Sequence, residues 1–182
     1  MKTLQKLFLF AAAICLTLSL INCKGTTKSP EMTTIPFEAN FIGNYTYVGP
    51  DTLPNPKCVA PLAAWRAIVD GSGTVTPLGN FTMHFDFCGD SVSNYGNAYA
   101  YMVDAEGDTL FISCAGRVIE GRLDDQSAYV TSYWKDPIEF TGGTGKFEGA
   151  TGEGTSDDYN SSGDPNSHHH WTGTITMVKE KK

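Results

Sequence analysis

The chain has 182 residues and a formal net charge of -7; 41% of it is hydrophobic, 12% aromatic and only 18% charged. That length holds one ordinary domain plus a short extra segment, and so low a charged fraction excludes a coiled coil or an acidic disordered tail. The negative balance also excludes nucleic-acid binding through phosphate neutralisation, while 19 Gly and 9 Pro favour strands and tight turns.

Residues 1–22 differ from the rest. Lys2 and Lys6 precede an apolar run over residues 7–21, broken only by Thr17 and Ser19. The run is shorter than the ~20 apolar residues of a bilayer-spanning helix and reads as a cleaved secretory signal. Leu20-Ile21-Asn22-Cys23 resembles a bacterial lipobox, with Asn22 where Gly, Ala or Ser is usual. The resemblance implies that Cys23 is diacylated and becomes the mature N-terminus, its acyl chains holding the protein to membrane lipid. The expected location is the bacterial cell envelope, lipid-anchored in the outer membrane. Residues 23–36 have no apolar periodicity and read as a flexible tether, which leaves 37–182 as the folded domain.

From about residue 41 onward, alternation with period two recurs and helical periodicity hardly appears. Residues 43–48 read as a strand, and 50–61, with four prolines, as an irregular crossover. A strand over 63–70 is followed by a turn at Asp70-Gly71-Ser72-Gly73. The clearest strand is 81–88, with Phe81, Met83, Phe85 and Phe87 on one face and Thr82, His84, Asp86 and Cys88 on the other. Burying four such side chains at ~25 cal/mol per Å² favours an inward apolar face by several kcal/mol. Strands follow over 98–103, 109–115, 116–120, 128–134 and 138–141, with a tight hairpin at Glu106-Gly107-Asp108. A short strand over 151–155 precedes a polar loop at 156–167, and 171–178 closes the chain. The expected fold class is therefore all-β, a closed antiparallel β-barrel of about eight strands, because closure removes the edges that an open sheet must protect.

With Cys15 in the signal and Cys23 lipidated, Cys58, Cys88 and Cys114 remain, an odd number in an oxidising compartment. Spacing leaves three pairings open; Cys58–Cys88 is the preferred one, with Cys114 in a strand. No zinc-ribbon or CxxC spacing is present, so no metal and no cofactor are expected.

The stretch Thr141-Gly142-Gly143-Thr144-Gly145-Lys146-Phe147-Glu148-Gly149-Ala150-Thr151-Gly152-Glu153-Gly154 resembles the glycine-rich signature of the allene-oxide-cyclase-like and dirigent-like barrels. Residues 73–82 and 103–110 are similar to two further stretches of bacterial members, with Pro77 and Glu106 as departures. The resemblance implies the closed barrel, with Phe147 plugging one end from a single helical turn. It also implies an interior that, in plant relatives, encloses an apolar pocket for a fatty-acid epoxide or a phenolic radical, and a tendency to form homo-oligomers. A phosphate loop is excluded by the lack of GxxxxGK[ST] spacing and of any βαβ unit.

The matching motifs are scaffold turns and carry no complete catalytic set. Candidate pocket residues are Phe81, Met83, Phe85 and Phe87, the strand aromatics Tyr99 and Tyr101, and Glu139 as an inward carboxylate. His84 and Asp86 are acid–base candidates only if their face lined the interior, which the Phe face contests. His168-His169-His170 alternate faces on an extended chain and do not make a metal site. The expected function is an envelope lipoprotein whose barrel binds a small apolar ligand rather than an enzyme. The alternatives are a filled structural or interaction barrel, or a cyclase or isomerase acting by moulding its substrate.

Overall fold

The computed structural model describes residues 30–76 and 79–179. The signal at 1–22, Cys23 and the tether as far as residue 29 lie outside the described residues, as do Pro77 and Leu78. The first strand, β1, runs Met32–Gly49 and therefore begins inside the segment expected to be tether. It starts there because its first turns of alternation are claimed by the last strand, Met32 standing opposite Val178.

Ten strands follow: β2 Trp65–Thr76, β3 Gly79–Gly89, β4 Asn94–Asp104, β5 Thr109–Cys114, β6 Gly116–Arg117, β7 Ile119–Glu120, β8 Val130–Trp134, β9 Pro137–Gly143, β10 Thr151–Ser161 and β11 Asp164–Val178. Pairing runs antiparallel around β1-β2-β3-β4-β5-β9-β10-β11, and β11 returns to β1 from Met32↔Val178 to Gly43↔Ser167. The result is a closed eight-strand barrel. Two of its staves are broken. β5 continues past Ala115 as β6, which pairs with β4, and β7, which pairs with β8. β8 and β9 both pair with β10 and are interrupted at Lys135-Asp136.

Two expectations are corrected. The turn at Asp70–Gly73 does not form, since β2 runs through it. A Cβ on Gly73 would stand 2.1 Å from Asn40 O, so the glycine lets β2 coil tightly across β1 instead of reversing. The polar loop at 156–167 is a strand hairpin, β10 and β11, turning at Ser162 and Gly163, the latter at φ 87°. Its polar residues misled the alternation count because several of them, Ser156, Asp158 and Ser167, are buried inside the barrel.

The interior divides along the axis. At the end where the described chain enters and leaves, Phe37, Leu110, Phe140, Phe147 and Ile175 are each at most 2% exposed. Phe37 and Phe140 pack ring to ring at 4.5 Å, and Phe147 closes this end from a 3-10 turn at Gly145–Phe147, as the glycine-rich segment implies. The opposite end holds the polar groups. Outside that end, residues 50–64 form a strap over β2 and β3. A Cys58–Cys88 disulfide fixes it, and Arg66 donates to Asp51 at 2.9 Å and to both Asp86 oxygens at 2.7 and 2.6 Å.

Candidate functional site

Inside the polar end lies a cavity of about 50 Å³, room for a few water molecules. Its walls are Val69, Phe85, Phe87, Trp134, Ile138 and Trp171, and its polar lining is Tyr45, Tyr95, Ser156, Asp158, Ser167 and His169. Strand parity creates this set. Ser167, His169 and Trp171 share the inward face of β11 with Ile175 and Met177, and Ser156 and Asp158 share that of β10.

The centre of the site is a buried chain of three side chains. Asp158 is 1% exposed, and its carboxylate accepts from Trp171 Nε1 at 3.1 and 3.0 Å and from the His170 backbone N–H at 3.2 Å. Asp158 Oδ2 lies 3.0 Å from His169 Nδ1. On the other side of the ring, His169 Nε2 is 2.7 Å from Ser167 Oγ, which also lies 3.2 Å from the Gly43 carbonyl. Phe41 stacks on the imidazole at 4.3 Å and 6°, and Trp134 meets it edge-on at 5.8 Å. Glycine is required at position 43, opposite Ser167. A Cβ there would stand 2.6 Å from Ser167 Oγ and 3.0 Å from His169 Nε2.

Nearer the mouth, the Tyr95 hydroxyl donates to Asp136 Oδ2 at 2.9 Å, and the Arg117 backbone N–H donates to the same oxygen at 3.2 Å. Burial raises the Asp136 carboxyl above the usual range, with nearby Asp158 adding to the rise and the Tyr95 hydrogen bond opposing it. Burial likewise raises the Tyr45 and Tyr95 phenols and pushes the Cys114 thiol up to about 12, so all three stay protonated and neutral. Cys114 is the free cysteine among the described residues. The site thus offers a carboxyl group inclined to hold a proton, neutral phenols as donors, and an imidazole between a hydroxyl and a carboxylate.

The sequence candidates divide. Phe81, Met83 and Phe85 are buried inside and Phe87 is half-buried, but only Phe85 and Phe87 line the cavity. Tyr99 and Tyr101 are on the outer wall, because Ala100 and Met102 take the inward positions of β4; Tyr99 is 57% exposed. Glu139 is also outside and exposed, with Ile138 and Phe140 facing in. His84 pairs on the outer wall with Asp70 at 2.7 Å, and Asp86 is on the outer face of β3 under the strap, paired with Arg66 and Lys57. Asp158 and Ser167 were hidden in the segment read as a loop, and His169 in the polar approach to the last strand. Counting parity backward from Trp171 brings Ser167 and His169 inward, and that was the available signal. At the Glu106-Gly107-Asp108 hairpin, three carboxylates approach one another, but Lys146 Nζ sits among them, 2.5 Å from Asp104 and 3.2 Å from Glu106.

The chain is similar to the pterocarpan synthase dirigent protein GePTS1, with 16% identity over 82% of this chain and 93% of that one, and a TM-score of 0.53. It also aligns with the pterocarpan synthase dirigent protein PsPTS1, with 10% identity over 83% of this chain and 97% of that one, at a TM-score of 0.44. No family model and no curated protein matches it. The likeness to GePTS1 is one of fold: this is a dirigent-like closed barrel.

Proposed function

We propose that this chain is an exported lipoprotein of the bacterial envelope, anchored through Cys23, whose barrel takes up a small, largely apolar molecule at its polar end. The observation that carries the reading is the Asp158–His169–Ser167 set, buried beneath an aromatic rim of half-buried Tyr45, Phe87 and Tyr95. Burying such groups costs several kcal/mol unless they are satisfied. A barrel that served only as a solid scaffold would fill the space with apolar side chains, as its other end does. A pocket with apolar walls and a few convergent polar groups is what recognises the polar atom of an otherwise greasy ligand. The volume of about 50 Å³ sets the ligand's size. Only a single ring or a short chain enters, and only with displacement of water and movement of the rim.

That same small volume favours one alternative, an interaction lipoprotein with a filled barrel that works through its outer wall or through self-association. Native mass spectrometry of the protein extracted from its own host separates the two. A co-purifying small molecule, lost in Asp158→Asn, supports the pocket; a clean apo mass supports the filled barrel. In the same preparations, Cys23→Ser is expected to abolish labelled palmitate incorporation and move the protein to the soluble fraction. Persistence of both would remove the anchor from the reading.

A further inference from the structure

We propose that Ser167, His169 and Asp158 form a nucleophilic triad that cleaves a small carboxylic ester, Ser167 carrying the acyl group between the two halves of the reaction. This rests on the pocket reading, since the ester must enter the same space, and adds chemistry to it.

The geometry has the parts that activation of a hydroxyl needs. His169 bridges the other two residues, with Ser167 Oγ 2.7 Å from Nε2 and Asp158 Oδ2 3.0 Å from Nδ1. With the ring neutral and its proton on Nδ1, Nε2 is left as the acceptor for the serine proton. Nδ1 makes no well-directed hydrogen bond in the present conformation. A small rotation of the ring aligns it with Asp158, and hydrogen bonds of this kind tighten when substrate binds. Asp158 cannot swing away, being fixed by Trp171 Nε1 and the His170 N–H. All three residues line the cavity. Gly43 is the space-making partner of the pair, because a Cβ there would crowd Ser167 Oγ and His169 Nε2. The remaining need is a donor for the oxygen of the tetrahedral intermediate. Tyr45 fits, since it lines the same cavity, burial raises its phenol so that it stays protonated, and its hydroxyl, which donates to Asn160 Oδ1 only at 3.5 Å, is free to turn toward the intermediate.

In the first half-reaction, Ser167 Oγ bonds to the acyl carbon while its proton passes to His169 Nε2. The carbon–oxygen bond to the alcohol then breaks, and the departing alkoxide takes that proton. In the second half, water attacks the acyl-serine, gives a proton to Nε2, and the proton returns to Ser167 Oγ as the carboxylic acid leaves. No redox partner is needed. The cavity limits the acyl group to acetyl or a slightly longer chain, with the alcohol portion lying against the rim.

The test uses the full-length chain in detergent, treated with an ethyl fluorophosphonate and digested for mass spectrometry. The expected result is a single phosphonyl adduct on Ser167, absent in Ser167→Ala. In His169→Gln the labelling should be slower by about 100-fold or more, with the circular dichroism of a folded barrel retained. Burst release of p-nitrophenol from p-nitrophenyl acetate should follow the same pattern. No adduct on Ser167, an adduct elsewhere, or a rate unchanged in folded His169→Gln would overturn the triad. A parallel titration with p-cresol, read by tryptophan fluorescence from Trp134 and Trp171, separates the two ideas. Binding without an adduct defeats the triad and leaves the pocket, whereas neither binding nor adduct defeats both.

Discussion

At Asp136 a single carboxyl group is held by Tyr95 and the Arg117 N–H inside the break between β8 and β9. Its protonation is favoured in the folded state because burial and Asp158 penalise the charge. The sign follows from linkage. The folded chain binds this proton more tightly than the unfolded chain, so the stability it contributes is present below the ordinary carboxylate pKa and is lost as pH rises through the folded value. Asp136→Asn keeps an oxygen acceptor for Tyr95 and removes the charge. It is expected to raise the urea midpoint at pH 7 and to change it little at pH 3.5; an equal effect at both would show that charge is not the cause. At this scale the sequence was legible where parity was clear and no polar residue broke the pattern. Phe81, Met83, Phe85 and Phe87 turned inward as their alternation required, and Cys58 joined Cys88. Tyr99, Tyr101 and Glu139, expected in the pocket, face outward, because alternation gives two faces without saying which is inside, and an aromatic residue suits either. The polar core was missed for the converse reason, since polar residues read as a loop and parity counted back from Trp171 was the one sign that Ser167 and His169 turn inward.

The strap over residues 50–64 is an element with no regular structure of its own, held by chemistry rather than by ladder hydrogen bonds. Arg66 is its centre, almost fully buried between Asp51 and Asp86, with Lys57 Nζ 3.5 Å from the latter. Burial works against the Asp86 charge, but Arg66 and Lys57 outweigh it and hold the carboxyl below its ordinary pKa. The stability this contributes is therefore present above the usual carboxylate range and lost as pH falls through the lower folded value. Replacing Arg66 by Met leaves Asp51 without an ion-pair partner and Asp86 with Lys57 alone. It is expected to lower the melting temperature by about 5–10 °C at pH 7, and by less at pH 3, where the acids take up protons. A loss as large at pH 3 as at pH 7 would assign the effect to packing. The crossover itself was readable from four prolines, which preclude a central strand. Its closure against β2 and β3 was not, because ion pairs between residues 15 and 20 positions apart leave no periodic trace.

For the whole molecule, the decisive contact is the seam between the first and last strands, the longest-range pairing in the barrel. Deletion of residues 1–30 spares every residue of β1 and is expected to leave a cooperative unfolding transition. Deletion through Ala39 removes Phe37 and Ala39, both at most 1% exposed, and opens the ring. Loss of cooperativity and binding of a hydrophobic dye by the second protein, but not the first, would confirm the seam; two equally cooperative transitions would refute it. Closure was foreseeable from strand number and turn spacing, since so many short strands in one domain need their edges covered. The start of β1 was not. Met32-Thr33-Thr34-Ile35-Pro36 has little apolar content of its own and becomes a strand only because β11 offers it partners.

The seam also fixes the way the molecule presents itself. Glu31 and Lys179 meet in a 2.7 Å ion pair where the described chain begins and ends, beside the Phe147 plug. On the proposed Cys23 anchor, the link to lipid leaves the barrel beside its sealed base, at the far end from Ser167 and His169.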